Sequence, residues 1–157
     1  ELKGYGSTDE AHHITAPKLD GTGPARAFKQ ALNHGGLNPE DVQYINAHGT
    51  STAYNDAIET RALHLAFGDH ARQLAVSSTK SMVGHLLGAS AALELIATAL
   101  SVYHDQVHPT RNLETPDPDC DLDYVPGDAR EMTVRNALSN SLGFGGHNVS
   151  ICLGKPA

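Results

Sequence analysis

Strand, loop and helix follow one another between Val42 and Leu65, where the sequence reads VQYINAHGTSTAYNDAIETRALHL. Its first residues, Val42 to Ala47, are rich in β-forming side chains and predict a short strand. Asn55 is predicted to cap the following helix, and the residues predicted to face inward recur at helical spacing: Ile58, Ala62 and Leu65. A strand that leads through a polar loop into a helix is typical of an α/β sheet.

The same alternation extends outward in both directions. Helices are predicted at Thr22–Gly36 and Val83–His104, and strands at Leu74–Ser77, Val134–Asn140 and Asn148–Leu153. Strands separated by helices imply crossover connections, so we expect a largely parallel sheet covered on both faces and finished by an antiparallel pair. The Val83–His104 helix is so apolar that we expect it to be buried, with neighbours on several sides.

The composition limits the class of protein to which this chain can belong. The 157 residues suit one domain, and the net charge of −7 comes without any Lys or Arg cluster, which argues against a nucleic-acid partner. The longest apolar stretch, Leu86–Val102, is interrupted by polar residues and falls short of the ~20 residues that span a bilayer. Two cysteines in different settings do not suggest a disulfide framework, so we expect a cytoplasmic protein. The chain starts as if within a strand and without Met, which suggests part of a longer protein.

Three polar, glycine-bearing loops follow predicted strands, at residues 46–52, 77–85 and 140–148. In open α/β sheets, ligands bind beyond the carboxyl ends of the strands, so the three loops are expected to converge on one pocket. In the first loop, His48 can offer an imidazole N–H to a ligand, although an internally bonded loop histidine fits as well.

Residues of the other two loops also allow both a functional and a purely structural interpretation. Lys80, if buried, needs a counter-ion, which Glu94 on the following helix can supply; otherwise Lys80 is a solvated loop residue. The glycines around Phe144 fit a plain hairpin turn, or a gate whose backbone N–H stabilises an oxyanion. His104 and His108 have i, i+4 spacing, but Pro109 interrupts any helix there, so we expect no metal site.

Taken together, the three loops resemble those of the β-ketoacyl-[acyl-carrier-protein] synthases. The resemblance covers nearly the whole chain, including Gly4-Tyr5-Gly6 and Cys120–Pro126, and is strongest to elongating enzymes of bacterial type II fatty acid synthesis. It implies a thiolase-like α/β fold, in which two βαβαβαββ halves each place a mostly parallel mixed sheet between helix layers. Residues 1–157 would be the carboxy-terminal half, in a homodimer of the full-length protein.

The resemblance also implies roles for individual residues. His48 and His85 would donate hydrogen bonds to the thioester carbonyl of malonyl-ACP, supported by a Lys80–Glu94 ion pair, in the decarboxylative Claisen condensation that gives β-ketoacyl-ACP. Phe144 would gate the acyl pocket, and Thr15, Thr50 and Thr52 would line the pantetheine channel. No cofactor is implied, because the acyl and malonyl thioesters are carried on the phosphopantetheine of acyl carrier protein.

The nucleophilic cysteine of that family lies in the other half. Cys120 lies in an acidic loop and Cys152 in a predicted strand, whereas a nucleophile needs a helix amino terminus to favour its thiolate. The chain alone is therefore expected to be inactive and to expose apolar surface that the missing half would cover. A polyketide ketosynthase domain and a non-catalytic chain-length factor remain as alternatives, while a thiolase is disfavoured because it would place a second cysteine near the carboxy-terminal glycine loop.

Overall fold

The computed structural model describes residues 1–156, which form a five-stranded mixed sheet with helices on both faces. The strands of this sheet, in chain order, are β1 (Leu2–Asp9), β2 (Tyr44–Asn46), β3 (Ala75–Ser77), β6 (Asn136–Gly143) and β7 (His147–Gly154). Two further short strands, β4 (Gln106–Val107) and β5 (Arg130–Glu131), pair with each other. The helices are α1 (Thr22–Gly35), α2 (Asn55–Phe67), α3 (Lys80–Val83) and α4 (Ser90–His104).

The sheet order is β1-β7-β6-β2-β3. β2 pairs in parallel with β3 and β6, whereas β7 is antiparallel to both β6 and β1, so four of the five strands point the same way. The α/β architecture predicted from the sequence is confirmed, including the antiparallel pair of β6 and β7 that ends the chain. The parallel register aligns Asn46 with both Ser77 and Ser139, so the loops after these strands leave from one edge.

Alternating strand residues build one core on each face of the sheet. Ile45, Val76 and Leu138 pack with α1 and α2, whereas their neighbours Tyr44, Ala75 and Ala137 pack in the second cluster with Val102 of α4. This period of two is the pattern expected for strands buried on both faces. In α2, Ile58 and Ala62 are buried as predicted, but Leu65 is 45% exposed, so its predicted inward position was wrong.

β1 and α1 touch through backbone. A Cβ on Gly6 would lie 2.0 Å from the carbonyl oxygen of Ala27, and one on Gly4 would lie 2.0 Å from that of Ala31. Only glycine permits so close an approach of strand to helix. The Gly4-Tyr5-Gly6 pattern therefore sets the distance between α1 and the sheet.

The predicted Val83–His104 helix is broken. Gly84 and Leu87 have positive φ values of 75° and 51°, which end α3 and delay the start of α4 until Ser90. The interruption places His85 in a loop between two helices. The prediction of one continuous helix was wrong because glycine at position 84 leaves the helical region at little conformational cost.

α4 is also oriented differently from the prediction. Its buried side chains are mostly polar, namely Ser90, Glu94, Thr98 and Ser101 with Val102, while Ile96, Leu100 and Tyr103 are exposed. The expectation of burial on several sides was therefore wrong for this chain, and the expected exposed apolar surface is present. Leu87–His104 is long and apolar enough to cross a bilayer. Core helices of soluble proteins pass the same test, so this is only weak evidence for a membrane-spanning segment.

Candidate active site

His48 and His85 lie together at the edge where β2 and β3 end. Their imidazole centroids are 5.7 Å apart, with the ring planes at 85°. His48 follows β2 by two residues, and His85 follows the break after α3. The predicted convergence of these two loops is therefore observed, and it follows from the parallel pairing of β2 with β3.

The hydrogen bonds of His85 define its tautomer. Its Nδ1 accepts a hydrogen bond from the backbone N–H of Leu87 at 3.1 Å, and the Ser90 hydroxyl lies 3.0 Å from the same atom. Because a backbone N–H can only donate, Nδ1 carries no proton, and the neutral ring must hold its proton on Nε2. His85 is exposed in this chain, so that N–H is available to a ligand.

His48 is held as a neutral ring by its surroundings. Burial, the Lys80 ammonium and His85 together lower its pKa to about 3. Its Nδ1 is buried and has no hydrogen-bond partner among the described residues. A neutral imidazole can donate one hydrogen bond without first losing a proton, which suits it to stabilise negative charge on an oxygen.

The Lys80–Glu94 ion pair predicted from the sequence is present and buried. Lys80 Nζ lies 2.5 Å from Glu94 Oε1, and the two side chains are 5% and 2% exposed. Burial raises the pKa of Glu94, while the ammonium of Lys80 opposes that rise. The pair joins the start of α3 to the second turn of α4, on either side of the loop that carries His85. The alternative of a solvated Lys80 is excluded.

Glu59 is a site residue whose position the sequence did not reveal. Its carboxylate accepts hydrogen bonds from the backbone N–H groups of His48 and Gly49, both at 3.0 Å, and from Asn140 Nδ2 at 3.3 Å. It is 3% exposed, and burial raises its pKa. In the sequence, Glu59 reads as a helix residue that favours the α2 dipole; only its position shows that it anchors the His48 loop.

The remaining predicted residues lie in loops at the same edge. The hydroxyls of Thr50 and Thr52 are 2.9 Å apart, and Phe144 is 77% exposed at the turn between β6 and β7. Thr15 is exposed on the loop after β1, which the Gly145 N–H ties to this turn through the carbonyl of Ile14 at 2.9 Å. The structure thus links the Thr15 and Phe144 segments directly.

A cavity of about 290 Å³ lies against the loop that carries His48. It is bounded by the His48 loop, α2, the start of α3 and residues 110–113, and its lining includes Thr50, Lys80 and Arg111. His48, His85 and Phe144 do not line it. Within residues 1–156, no three His, Cys, Asp or Glu side chains group in a way that could hold a metal ion.

Neither cysteine resembles an activated nucleophile. Burial raises the pKa of the Cys152 thiol to about 11, and burial also raises that of Cys120. Both side chains are free thiols, Cys152 inside β7 and Cys120 in the loop before Leu122. At neutral pH both stay protonated and poorly nucleophilic.

Comparison with known proteins agrees with this architecture. Residues 1–114 match the family "Beta-ketoacyl synthase, C-terminal domain". The chain is 59% identical over 155 residues to 3-oxoacyl-[acyl-carrier-protein] synthase 2 of Synechocystis sp., covering 99% of this chain and 37% of that relative. The chain therefore spans little more than a third of the length of this relative.

Solved structures show the same fold. One is the complex of a type II polyketide synthase acyl-carrier protein with its ketosynthase bound to the hexaketide. A chain of this complex matches with a TM-score of 0.97 and 41% identity. Another is the ishigamide ketosynthase/chain length factor, with a TM-score of 0.94 and 40% identity. Each match covers 99% of this chain and 38% of the other.

Proposed function

This chain belongs to the β-ketoacyl synthase family, and we propose that it supplies the two histidines of an enzyme that condenses an acyl chain with malonyl-ACP. The observation that carries the proposal is the pair of imidazoles, His48 and His85, whose ring centroids are 5.7 Å apart, together with the buried Lys80–Glu94 ion pair. As a carboxy-terminal half, the chain would work within a longer protein, because its relatives are nearly three times its length.

In the proposed reaction, His48 and His85 donate hydrogen bonds to the thioester carbonyl of malonyl-ACP. The bond between the malonyl α-carbon and its carboxylate breaks, and carbon dioxide leaves. The electron pair of that bond stays on the thioester and forms an enolate, whose oxygen the two N–H groups stabilise. Hydrogen bonds from neutral donors strengthen as charge develops on that oxygen, so they favour the transition state over the bound thioester. No proton transfer to either ring is needed in this step.

The enolate carbon then attacks the carbonyl of the acyl-enzyme thioester. A carbon–carbon bond forms, the oxyanion of the tetrahedral intermediate is held by backbone N–H groups, including that of Phe144, and the intermediate collapses to expel the cysteine thiolate. The product is β-ketoacyl-ACP. Because Cys120 and Cys152 are both protonated in this chain, we place the nucleophile in the other half. The chain by itself would then be inactive.

We assign the substrate contacts to the exposed loops at the same edge. Thr15, Thr50 and Thr52 would bind the phosphopantetheine arm through their hydroxyls, and Phe144 would control access to the acyl pocket. The exposure of Phe144 and Thr15 supports an entrance at this edge, and the backbone hydrogen bond between their loops couples the two segments. Acyl carrier protein is the proposed partner, in a cytoplasmic homodimer that needs no cofactor.

The test is made on the full-length protein with malonyl-ACP and an acyl donor. Carbon dioxide release and β-ketoacyl-ACP formation are followed for wild type, His48→Ala, His85→Ala and the exposed control His34→Ala. We expect each of the first two substitutions to lower decarboxylation by about 10²–10³-fold, as for removal of one oxyanion donor, while His34→Ala stays active. Undiminished decarboxylation in either site variant would refute the assigned roles.

A chimera separates this chain from its unknown other half. This chain replaces the matching segment of the Synechocystis relative, with which it shares 59% identity. If the chimera condenses while the native full-length protein does not, the active-site residues of this chain are competent and the native partner half is not. That outcome would favour a non-catalytic chain-length factor, the second reading left open by the sequence.

A polyketide ketosynthase is the other candidate, favoured by the 41% identity to a chain of the ketosynthase complex bound to the hexaketide. The two functions differ in product when no reductase is present. A fatty acid enzyme would stop after one malonyl unit, whereas a polyketide ketosynthase would add several. Mass spectrometry of the carrier-bound product distinguishes the two outcomes.

A further inference from the structure

We propose that His108 is a positioning residue that joins the two loops bearing the active-site groups by a chain of hydrogen bonds; this rests on the proposed function. His108 follows β4 and precedes Pro109, and it is partly buried under the ends of β2 and β3. It touches neither His48 nor His85. Its action on the reaction would pass through Thr79, the residue before Lys80.

The imidazole of His108 contacts three hydroxyl groups. Nε2 lies 2.9 Å from the Thr79 hydroxyl and 3.1 Å from the Tyr44 hydroxyl, and Nδ1 lies 3.2 Å from that of Ser77. These three residues are at most 3% exposed. One ring therefore ties the start of β2, the end of β3 and the first residue of the Lys80 turn.

The direction of the hydrogen bonds follows from the one partner that can only accept. Nδ1 of His108 lies 3.1 Å from the carbonyl oxygen of Pro109, so Nδ1 carries the proton and Nε2 is an acceptor. Thr79 then donates its hydroxyl proton to Nε2 at 2.9 Å, which is closer than its other acceptor, Asn46 Oδ1, at 3.2 Å. Burial lowers the pKa of His108, which keeps the ring in this neutral form.

The chain continues to both halves of the site. Asn46 Nδ2 donates to the Thr79 hydroxyl at 2.9 Å and to the carbonyl of Glu94 at 3.1 Å. Asn46 precedes His48 by two residues, and Glu94 holds Lys80. Thus His108, Thr79 and Asn46 form one directional path that fixes the distance between the His48 loop and the Lys80–Glu94 pair.

A nonpolar residue at position 108 would remove the hydrogen bonds that connect the two loops. Thr79 would turn its hydroxyl toward Asn46 Oδ1, and buried Tyr44 would lose one of its hydroxyl contacts. The loops would keep their fold but lose their fixed separation, and misplacement by about 1 Å is enough to cost about 10²-fold in rate. The loss would appear in kcat more than in the KM for malonyl-ACP, because the ring does not touch substrate.

The test uses the full-length protein and three variants. His108→Leu removes both ring nitrogens, His108→Gln keeps an acceptor for Thr79, and Val107→Ala is the control for simple destabilisation because Val107 is fully buried next to His108. We expect kcat to fall by about 10–100-fold in His108→Leu with KM within about twofold, and His108→Gln to recover most of kcat. Val107→Ala is expected to lower the melting temperature but keep kcat.

A second readout does not depend on activity. Full-length protein labelled at histidine ¹³Cε1 is compared by NMR, and the resonances of His48 and His85 are expected to shift in His108→Leu, return in His108→Gln and stay in place in Val107→Ala. Unchanged resonances in His108→Leu, or an equal loss of kcat in Val107→Ala, overturn the inference. If wild type is inert but the resonances shift as expected, the proposed function fails and the positioning role of His108 stands.

Discussion

Removing the charge of Lys80 while keeping its bulk is expected to destabilise the full-length protein strongly. In Lys80→Met, Glu94 keeps a carboxylate that is 1% exposed and whose Oε2 already lacks a hydrogen-bond partner, so a buried charge is left uncompensated. Breaking such a pair from one side costs about 3–5 kcal/mol in free energy of unfolding. The exposed pair of Lys18 with Asp20, at 2.7 Å, offers a matched control: Lys18→Met should cost less than about 1 kcal/mol.

The defect should depend on pH in a defined direction. Burial raises the pKa of Glu94, and replacing Lys80 removes the hydrogen bond and the charge that most strongly oppose that rise. A carboxyl whose folded pKa is raised holds its proton in the folded state above the pH at which the unfolded chain releases it, so its contribution to stability falls as pH rises. The defect of Lys80→Met should therefore be larger at pH 8 than at pH 5.5, by at most about 1.4 kcal/mol per pH unit.

Urea denaturation at the two pH values, followed by circular dichroism, measures this defect. The double variant Lys80→Met/Glu94→Leu should regain most of the lost stability, because no buried charge remains, yet stay impaired in decarboxylation. If the free energy of unfolding of Lys80→Met is within about 1 kcal/mol of wild type, or if its loss of stability grows toward pH 5.5, then Lys80 does not compensate a buried charge on Glu94.

Three further outcomes are expected. Glu59→Gln should lower kcat by at least about tenfold, measured by carbon dioxide release. The substitution replaces one of two accepting oxygens with an NH₂ group that faces the backbone N–H of His48 or Gly49, so two donors oppose each other. The ¹³Cε1 resonance of His48 should show no protonation between pH 8 and pH 5, because its pKa is lowered to about 3; a midpoint near 6.5 would contradict its burial. Gly6→Ala should lower the melting temperature by many degrees, because its Cβ would lie 2.0 Å from a backbone oxygen, whereas Gly88→Ala, with no atom within 4 Å, should not.

Much of the fold could be predicted from local patterns. α1 was predicted at Thr22–Gly36 and is observed at Thr22–Gly35, with Gly36 in the left-handed conformation that ends it. The strands around Ile45, Val76 and Leu138 were also found near their predicted places. Gly, Pro and β-branched residues act on their immediate neighbours, so such signals can be read without knowing the rest of the chain.

α4 shows where the local pattern fails. Hydropathy favours burying its apolar residues, but Glu94 is buried because its carboxylate pairs with Lys80, and Asn46 donates a hydrogen bond to the Glu94 carbonyl. Thr98, one turn further on, is also buried and donates its hydroxyl to the same carbonyl. The apolar side, with Ile96 and Leu100, is left exposed. A helix cannot reveal which of its faces is inward when the inward partners are polar groups distant in the sequence.

The sequence by itself predicted the strand–loop–helix order and, through the resemblance of its motifs, the β-ketoacyl synthase family, because motif and alternation are local properties. Only the tertiary structure decided how the side chains of the loops are placed relative to one another. It showed that Leu87 and Ser90 set the tautomer of His85, that Glu59 anchors the His48 loop, and that His108 reaches Thr79 across 29 residues of sequence. A hydrogen bond depends on a distance of about 3 Å, and distances between remote residues exist only once the sheet has brought its strand ends together.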